Sequence, residues 1–271
     1  MTYRELTVRL TKAGIPDAAF EAGCLIERFA GIGRAVLLAE PDRPIGSAEL
    51  EEAVRRRESR YPLQYLLGEW EFMGLPFEVN ETVLIPRADT EVTAERAIRY
   101  LPEGGRLLDL CTGSGCIAAA VLKNTKNTTG AAVDLIPETA ETARRNLERL
   151  GLGERCRVLV GDAADGGLLP GETFDVITAN PPYVTTDEMT ALEPELAYEP
   201  RCALTDGGDG LSLIRAILSI WPKRLKAGGV LLIEHGSAQR AAVNELAEKL
   251  GLTCRGYCDL AGRDRGVEIR R

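Results

Sequence analysis

Asn180-Pro181-Pro182-Tyr183 is the stretch of this chain best suited to chemistry. Two successive prolines fix φ and remove two backbone donors, so nearby carbonyls are free to accept from a ligand. Asn180 adds a side-chain carbonyl, and Tyr183 adds a flat ring. Together they make a rigid cup for a planar NH₂ attached to a carbonyl or a ring. Two acceptors can hold its hydrogens and aim the nitrogen lone pair at an electrophile.

A second group lies upstream, in Leu108-Asp109-Leu110-Cys111-Thr112-Gly113-Ser114-Gly115-Cys116. Its glycines allow a tight turn and a close approach of backbone to ligand. The helix that follows offers N-terminal amides to an anionic group. Gly113-x-Gly115-x-x-Ala118 fits a relaxed dinucleotide fingerprint, so NAD binding stays open here. Asp134, nineteen residues after Gly115, ends the next strand and can take both hydroxyls of a ribose. NAD enzymes and methyltransferases share that acid. Asp109, four residues before Gly113, is placed at the mouth of its strand. There it favours a ligand with a cationic amino group over a pyrophosphate.

Other chemistries are thinly supplied. The chain holds one histidine, His235, so a His-based metal site or a Ser-His-Asp triad has little to stand on. His235 itself reads as a strand-end residue bonded locally. None of the seven cysteines forms a C-x-x-C pair, which argues for reduced thiols and against a metal site. The net charge of −8 argues against broad nucleic-acid binding. Residues 1–60 balance ten basic against ten acidic side chains, so the whole excess falls on the remainder. The one basic cluster, Arg55, Arg56, Arg57 and Arg60, reads first as a solvated helix face and second as a docking patch. No apolar run is long enough to span a bilayer, and the N-terminus lacks the apolar core of a signal peptide, so a cytoplasmic protein is expected.

These residues need elements to place them. Residues 1–60 read as three to five short helices with their own core, with Asp17 and Ser47 as N-caps. On the second helix the apolar face is Ala19, Ala22, Gly23, Ile26, Phe29 and Ala30. Residues 61–88 read as a β-hairpin linker, with strands at 66–72 and 76–79 about a Met73-Gly74 turn. Residues 89–271 alternate strands (Arg106–Leu110, Ala131–Leu135, Val158–Val160, Phe174–Ala179, Val230–Glu234) with helices such as Pro137–Leu150 and Leu211–Leu225. That alternation means βαβ units and a mostly parallel sheet, with ligands beyond the strands' carboxyl ends. Trp70 and Trp221 read as packing anchors.

Pro62–Gly74, Phe77-Glu78-Val79, Val83–Arg87, Asp109–Ile117, Asn180–Tyr183, Asp209-Gly210-Leu211 and Asp259–Arg265 together resemble the HemK-type protein-(glutamine-N5) methyltransferase family, whose bacterial members modify peptide chain release factors. The resemblance is strong over residues 60–271 and extends to the N-terminus in helical type only. Ala88 stands where the family usually has Pro, and Ile136 where it often has Ser. The resemblance implies an α/β fold: a Rossmann-like class I methyltransferase domain with a mostly parallel seven-stranded sheet, a small N-terminal helical bundle and a linking hairpin. It implies S-adenosyl-L-methionine as cofactor, S-adenosyl-L-homocysteine as product, and the glutamine of a release factor's Gly-Gly-Gln motif as acceptor.

The site expected on this basis places Asn180, Pro181 and Tyr183 at the chemistry, with Pro182 completing the substrate cup. Asp109, Cys111, Thr112, Gly113, Ser114, Gly115, Asp134 and Asn180 face the cofactor, and Asp162 and Ala163 line its adenine. Arg87 and Thr90 are further candidates. A monomer is expected, with no metal, no membrane and no nucleic-acid partner. Three other readings stay in view. An adenine-N6 nucleic-acid methyltransferase uses the same cup but calls for a basic recognition domain. The others are an NAD-dependent oxidoreductase and a non-catalytic module that keeps the cofactor pocket.

Overall fold

The computed structural model describes all 271 residues, which form two compact units. The first comprises Met1–Trp70 with the distant segment Glu193–Tyr198. Its helices are α1 (Tyr3–Lys12), α2 (Ala18–Ala30), α3 (Arg34–Ala39), α4 (Ala48–Glu58) and α5 (Leu63–Leu67). A capping box starts α1: the Thr2 hydroxyl accepts from the Glu5 amide at 3.2 Å, and the Thr2 amide donates to Glu5 Oε2 at 2.8 Å. Ser47 caps α4 by accepting from the Leu50 amide at 3.1 Å. Asp17 occupies the cap position of α2, yet its side chain makes no capping bond. α2 buries Ala18, Ala22, Gly23, Leu25 and Ile26 and leaves Ala19 exposed. The true face is thus rotated from the expected one, because Leu25 outweighs the small Ala19.

The basic cluster is only partly a solvated face. Arg57 is 3% exposed and pairs with Glu21 at 2.5 Å and Glu195 at 3.0 Å. Arg60 also reaches Glu195, at 2.8 Å, and donates to the Gly14 carbonyl at 2.5 Å. The Tyr198 hydroxyl donates to the Ser59 carbonyl at 3.0 Å, and its ring meets Tyr61 edge-on. One arginine therefore fastens a segment 138 positions further along the chain to α4.

The N-terminal unit continues past residue 60. Leu66 and Leu67 belong to α5 and not to a strand. Pro62 precedes the turn, Gly68 ends it in the left-handed region at φ 74°, and Leu63 and Leu66 bury together at helical spacing. Five residues are too few to show a period, so the sequence alone does not separate this helical turn from a strand. The hairpin is correspondingly shorter: β1 (Glu69–Phe72) and β2 (Leu75–Glu78), joined through Met73 and Gly74, both at positive φ. The unit boundary falls inside β1.

The second unit comprises Glu71–Leu192 and Glu199–Arg271. After the hairpin come α6 (Glu91–Tyr100), β3 (Arg106–Leu110), α7 (Cys116–Lys123), β4 (Thr129–Asp134), α8 (Pro137–Arg149), β5 (Cys156–Val160) and β6 (Phe174–Ala179). Then follow α9 (Arg201–Leu204), α10 (Ser212–Ile220), β7 (Leu225–Glu234), α11 (Arg240–Lys249), β8 (Thr253–Cys258) and β9 (Asp264–Arg270). The sheet order is β5-β4-β3-β6-β7-β9-β8, parallel from β5 to β7. β9 runs antiparallel to both of its neighbours. The seven strands and the class I methyltransferase topology match the expectation. The helix expected over 211–225 stops at Ile220, where Trp221-Pro222 opens a 3₁₀ turn into β7.

Side chains alternate across the sheet, as a doubly covered strand requires. Leu107, Val176 and Leu232 join Phe72, Phe77 and the apolar side of α6 and α7. Leu108, Ile177 and Leu231 join α10, α11 and Trp221. The chain runs outward from β3 to β5 and then crosses to β6 on β3's other side. The switch point, where such sheets take ligands, is therefore the carboxyl end of β3 beside β6.

Replacing Arg57 with Ala should leave Glu21 as an unpaired, largely buried carboxylate and Glu195 with Arg60 alone, and cost about 3 kcal/mol. A melting temperature within a degree of wild type would show that the cluster is solvated after all.

Candidate active site

A cavity of about 890 Å³, counting space open to solvent, sits at the carboxyl ends of β3, β4 and β6. Its walls come from four stretches of chain. One is the loop after β3, from Cys111 to Ser114, with Cys116 and Ile117 of α7. The second is Asp134, Leu135, Ile136 and Thr139 after β4. The third is the segment before α6: Thr82, Leu84, Ile85, Pro86, Arg87 and Thr90. The fourth combines Asn180 and Pro182 with Pro200, Cys202, Ala203 and Leu213.

The glycine loop takes its shape from residues able to adopt positive φ. Gly113 sits at 57° and Gly115, which begins α7, at 81°. Cys111 also adopts φ 55°, unusual for a residue with a side chain. The Gly113 amide donates to Asp134 Oδ2 at 2.9 Å, and the Ile136 amide donates to Oδ1 at 3.1 Å. Burial raises the Asp134 carboxyl above its ordinary value, and these amides oppose the rise. Asn146 of α8 supports the loop from behind. Its amide nitrogen donates to the Ser114 carbonyl at 2.9 Å and to the Glu78 carbonyl at 3.0 Å, and its oxygen accepts from the Glu78 amide at 2.7 Å. Its position gave no signal in the sequence, because both partners lie far away along the chain.

The expected residues are not all in the wall. Cys111, Thr112, Gly113, Ser114, Asp134, Asn180, Pro182, Arg87 and Thr90 line the cavity, with Gly115 directly behind at the start of α7. Asp109 does not. It is fully buried, and its oxygens accept from the Thr112 hydroxyl at 2.6 Å and the Thr178 hydroxyl at 2.7 Å. Its place is under the loop, not at the mouth of the strand. Burial raises its carboxyl to about 6. Asp162 and Ala163 are also absent from the wall. Asp162 Oδ1 accepts from the Ala164 amide at 2.8 Å, and the Ala163 carbonyl accepts from the Trp221 indole at 2.8 Å. Pro181 is buried, and Tyr183 lies outside the wall with its hydroxyl donating to Glu234 Oε1 at 3.1 Å. His235 is bonded locally as expected, Nδ1 to the Gly236 carbonyl oxygen at 2.8 Å.

Glu199 was missed. It is buried, accepts from the Ile85 amide at 3.0 Å and pairs with Arg87. It thereby ties the segment before α6 to the segment that leads into α9. No local pattern marks an acid whose partners lie 112 and 114 positions away.

The wall suits S-adenosylmethionine. Asp134 offers a carboxylate to the cavity. Ser114 and Thr90 also line the cavity, their hydroxyl oxygens buried behind its surface. The Asn180 carboxamide is taken by no protein group.

Fold and cavity define an S-adenosylmethionine-dependent methyltransferase of class I. Residues 94–227 match the methyltransferase small domain, and residues 2–68 match the PrmC N-terminal domain. A methyltransferase structure from Pyrococcus furiosus shares the fold at 22% identity and a TM-score of 0.54, covering 73% of this chain and 89% of that one. The release factor glutamine methyltransferase of Geobacter sulfurreducens is 40% identical over 92% of this chain and 86% of its own length. That of Cereibacter sphaeroides is 39% identical over 98% and 96%. The chain belongs to the release factor glutamine methyltransferase family.

Burial raises the Glu234 carboxyl to about 7. Its folded-state value thus lies above its unfolded one, so its contribution to stability is complete below pH 4.5, the ordinary value, and is lost as pH rises through 7. His235, lowered by burial, acts in the opposite sense and is common to wild type and variant. Glu234→Gln should therefore gain on wild type between pH 5 and 7.5, by up to about 3 kcal/mol. Parallel melting curves across that range would contradict the raised carboxyl.

Proposed function

We propose that this protein transfers the methyl group of S-adenosylmethionine to the side-chain amide nitrogen of the glutamine in the Gly-Gly-Gln motif of a peptide chain release factor. One observation carries the reading. An unpartnered Asn180 carboxamide, held by two prolines at the end of β6, stands in the same cavity wall as Asp134 and the glycine loop.

When bound, S-adenosylmethionine supplies a methyl group on an electrophilic sulfonium. The residues of the chain supply position. Asp134 would take the ribose hydroxyls, and the amides of the glycine loop would take the polar tail. Leu135 and Ile136, which line the cavity, pack the adenine in place of Asp162 and Ala163. The Asn180 side-chain oxygen and the Pro181 carbonyl accept the two amide hydrogens of the substrate. An amide nitrogen is a poor nucleophile because its lone pair is delocalised. Two acceptors draw electron density back onto it and align it for in-line displacement. Nitrogen gains the methyl group, S-adenosyl-L-homocysteine leaves, and the proton on nitrogen passes to water.

The same reading makes the protein a cytoplasmic monomer that docks a protein and no nucleic acid. Its acidic excess repels polyanions, and no helix is long and apolar enough to cross a membrane. The N-terminal unit, with its separate core and matched family domain, is the surface assigned to the partner. Arg87 and Thr90, which line the same cavity as Asn180, are further contacts for the incoming glutamine loop.

Transfer of a tritiated methyl group tests the acceptor. Label should enter a release factor and fail to enter the same factor with its Gly-Gly-Gln glutamine changed to alanine. Label on an RNA or DNA pool with none on protein would replace this reading with adenine methylation. Two variants test the roles. Asn180→Ala should lower kcat by about 100-fold with cofactor affinity nearly intact. Asp134→Ala should weaken cofactor binding by about 10-fold or more in calorimetry. Equal losses of both quantities in each variant would refute the division of labour.

A further inference from the structure

Glu234 ends β7 beside the Asn-Pro-Pro-Tyr segment and is 2% exposed. Its Oε1 accepts from the Tyr183 hydroxyl at 3.1 Å, and its buried Oε2 makes no hydrogen bond of ordinary geometry, although the Thr90 hydroxyl is set near the carboxyl. A half-satisfied buried carboxyl destabilises a fold, and an apolar side chain of similar size would pack there at lower cost. Folding alone does not account for it.

Tyr183 is also held from other directions. Arg265 Nη1 stands 3.4 Å from its hydroxyl. Arg265 is itself fixed by Asp259 at 3.0 Å and Asp89 at 2.6 Å. The Tyr183 carbonyl accepts from Gln239 Nε2 at 2.9 Å. Gly210, at φ 70°, leaves that carbonyl just enough room, since any Cβ there would collide with it. Two sequence motifs that contribute nothing to the cavity wall near Asn180, Asp209-Gly210-Leu211 and Asp259–Arg265, thus converge on one tyrosine. So many restraints on a residue outside the wall fix the chain that leaves the cup.

We propose that Glu234 is a positioning residue for methyl transfer, which through the Tyr183 hydroxyl fixes the direction in which Asn180 and Pro181 present their oxygens. The proposal rests on the assignment of those two residues as holders of the substrate amide. Glu234 does not touch the substrate; it acts on an angle.

The test is a double-mutant cycle on the full chain with Glu234→Leu and Tyr183→Phe. It reads kcat, KM for the release factor and Kd for S-adenosylmethionine. Each single variant should lose about 10- to 100-fold in kcat, with KM and Kd barely moved. The double variant should be no slower than the slower single one, since the two act as a unit. Glu234→Gln, which keeps an acceptor oxygen, should restore most of kcat. Losses that multiply, a Leu variant as fast as wild type, or a change confined to KM, Kd or melting temperature would each overturn the proposal. If the Leu variant is too unstable to assay, Tyr183→Phe decides alone: reduced kcat at constant KM supports the role, and unchanged kcat removes it. Asn180→Ala run alongside separates the two levels. Full activity there removes the amide-holding assignment itself. A crippled Asn180→Ala with independent Glu234 and Tyr183 effects removes only the positioning role.

Discussion

Asp109 lies at the end of β3 with no solvent exposure, and its two oxygens go to two different pieces of chain. One takes the Thr112 hydroxyl of the glycine loop; the other takes the Thr178 hydroxyl of β6, two residues before Asn180. The proposed cofactor loop and the proposed amide cup are therefore referenced to a single carboxylate. Parallel pairing of Asp109 with Thr178 sets their register, and the side-chain bonds sharpen it. A transfer reaction that works by position needs that common reference more than it needs another ligand-contacting acid. The cost is visible in chemistry: burial lifts the carboxyl to about 6, against which the two hydroxyls work.

The same solution recurs around the cavity. Asp134 gathers the amides of Gly113 and Ile136, while Glu199 gathers the Ile85 amide and the Arg87 guanidinium. A carboxylate accepts several hydrogen bonds at once, so it can pin loops that have no ladder of their own. Asp109, Asp134 and Glu234 end three parallel strands and are all raised by burial.

The sequence was readable wherever the determinant was local. Glycines at required positive φ, the proline pair, strand alternation and Asp134 at a strand end all declare themselves within a few residues. Met73-Gly74 did so too. The misplaced features have distant causes. Leu66-Leu67 became helix because Gly68 caps a turn that packs in the N-terminal core. Arg57 became buried because Glu195 comes from much later in the chain. Glu199, Asn146 and the Tyr183–Glu234 bond were invisible for the same reason. Asp162 and Ala163 follow β5 as expected but lie outside the cavity wall, with Asp162 Oδ1 in a local turn and the Ala163 carbonyl on Trp221.

This contrast explains how the site is built. The residues proposed to contact ligand sit in short motifs because backbone shape must be set locally, by glycine or proline. The residues that aim them are scattered, because aiming requires a fixed point on another element. Tyr183 belongs to both groups: its place in the motif is local, whereas its hydroxyl is answered from β7 and β9. The antiparallel strand β9 carries Arg265 to the proposed cup through its pairing with β7. The end of the sheet that departs from the parallel pattern is thus the end that braces the Asn-Pro-Pro-Tyr segment.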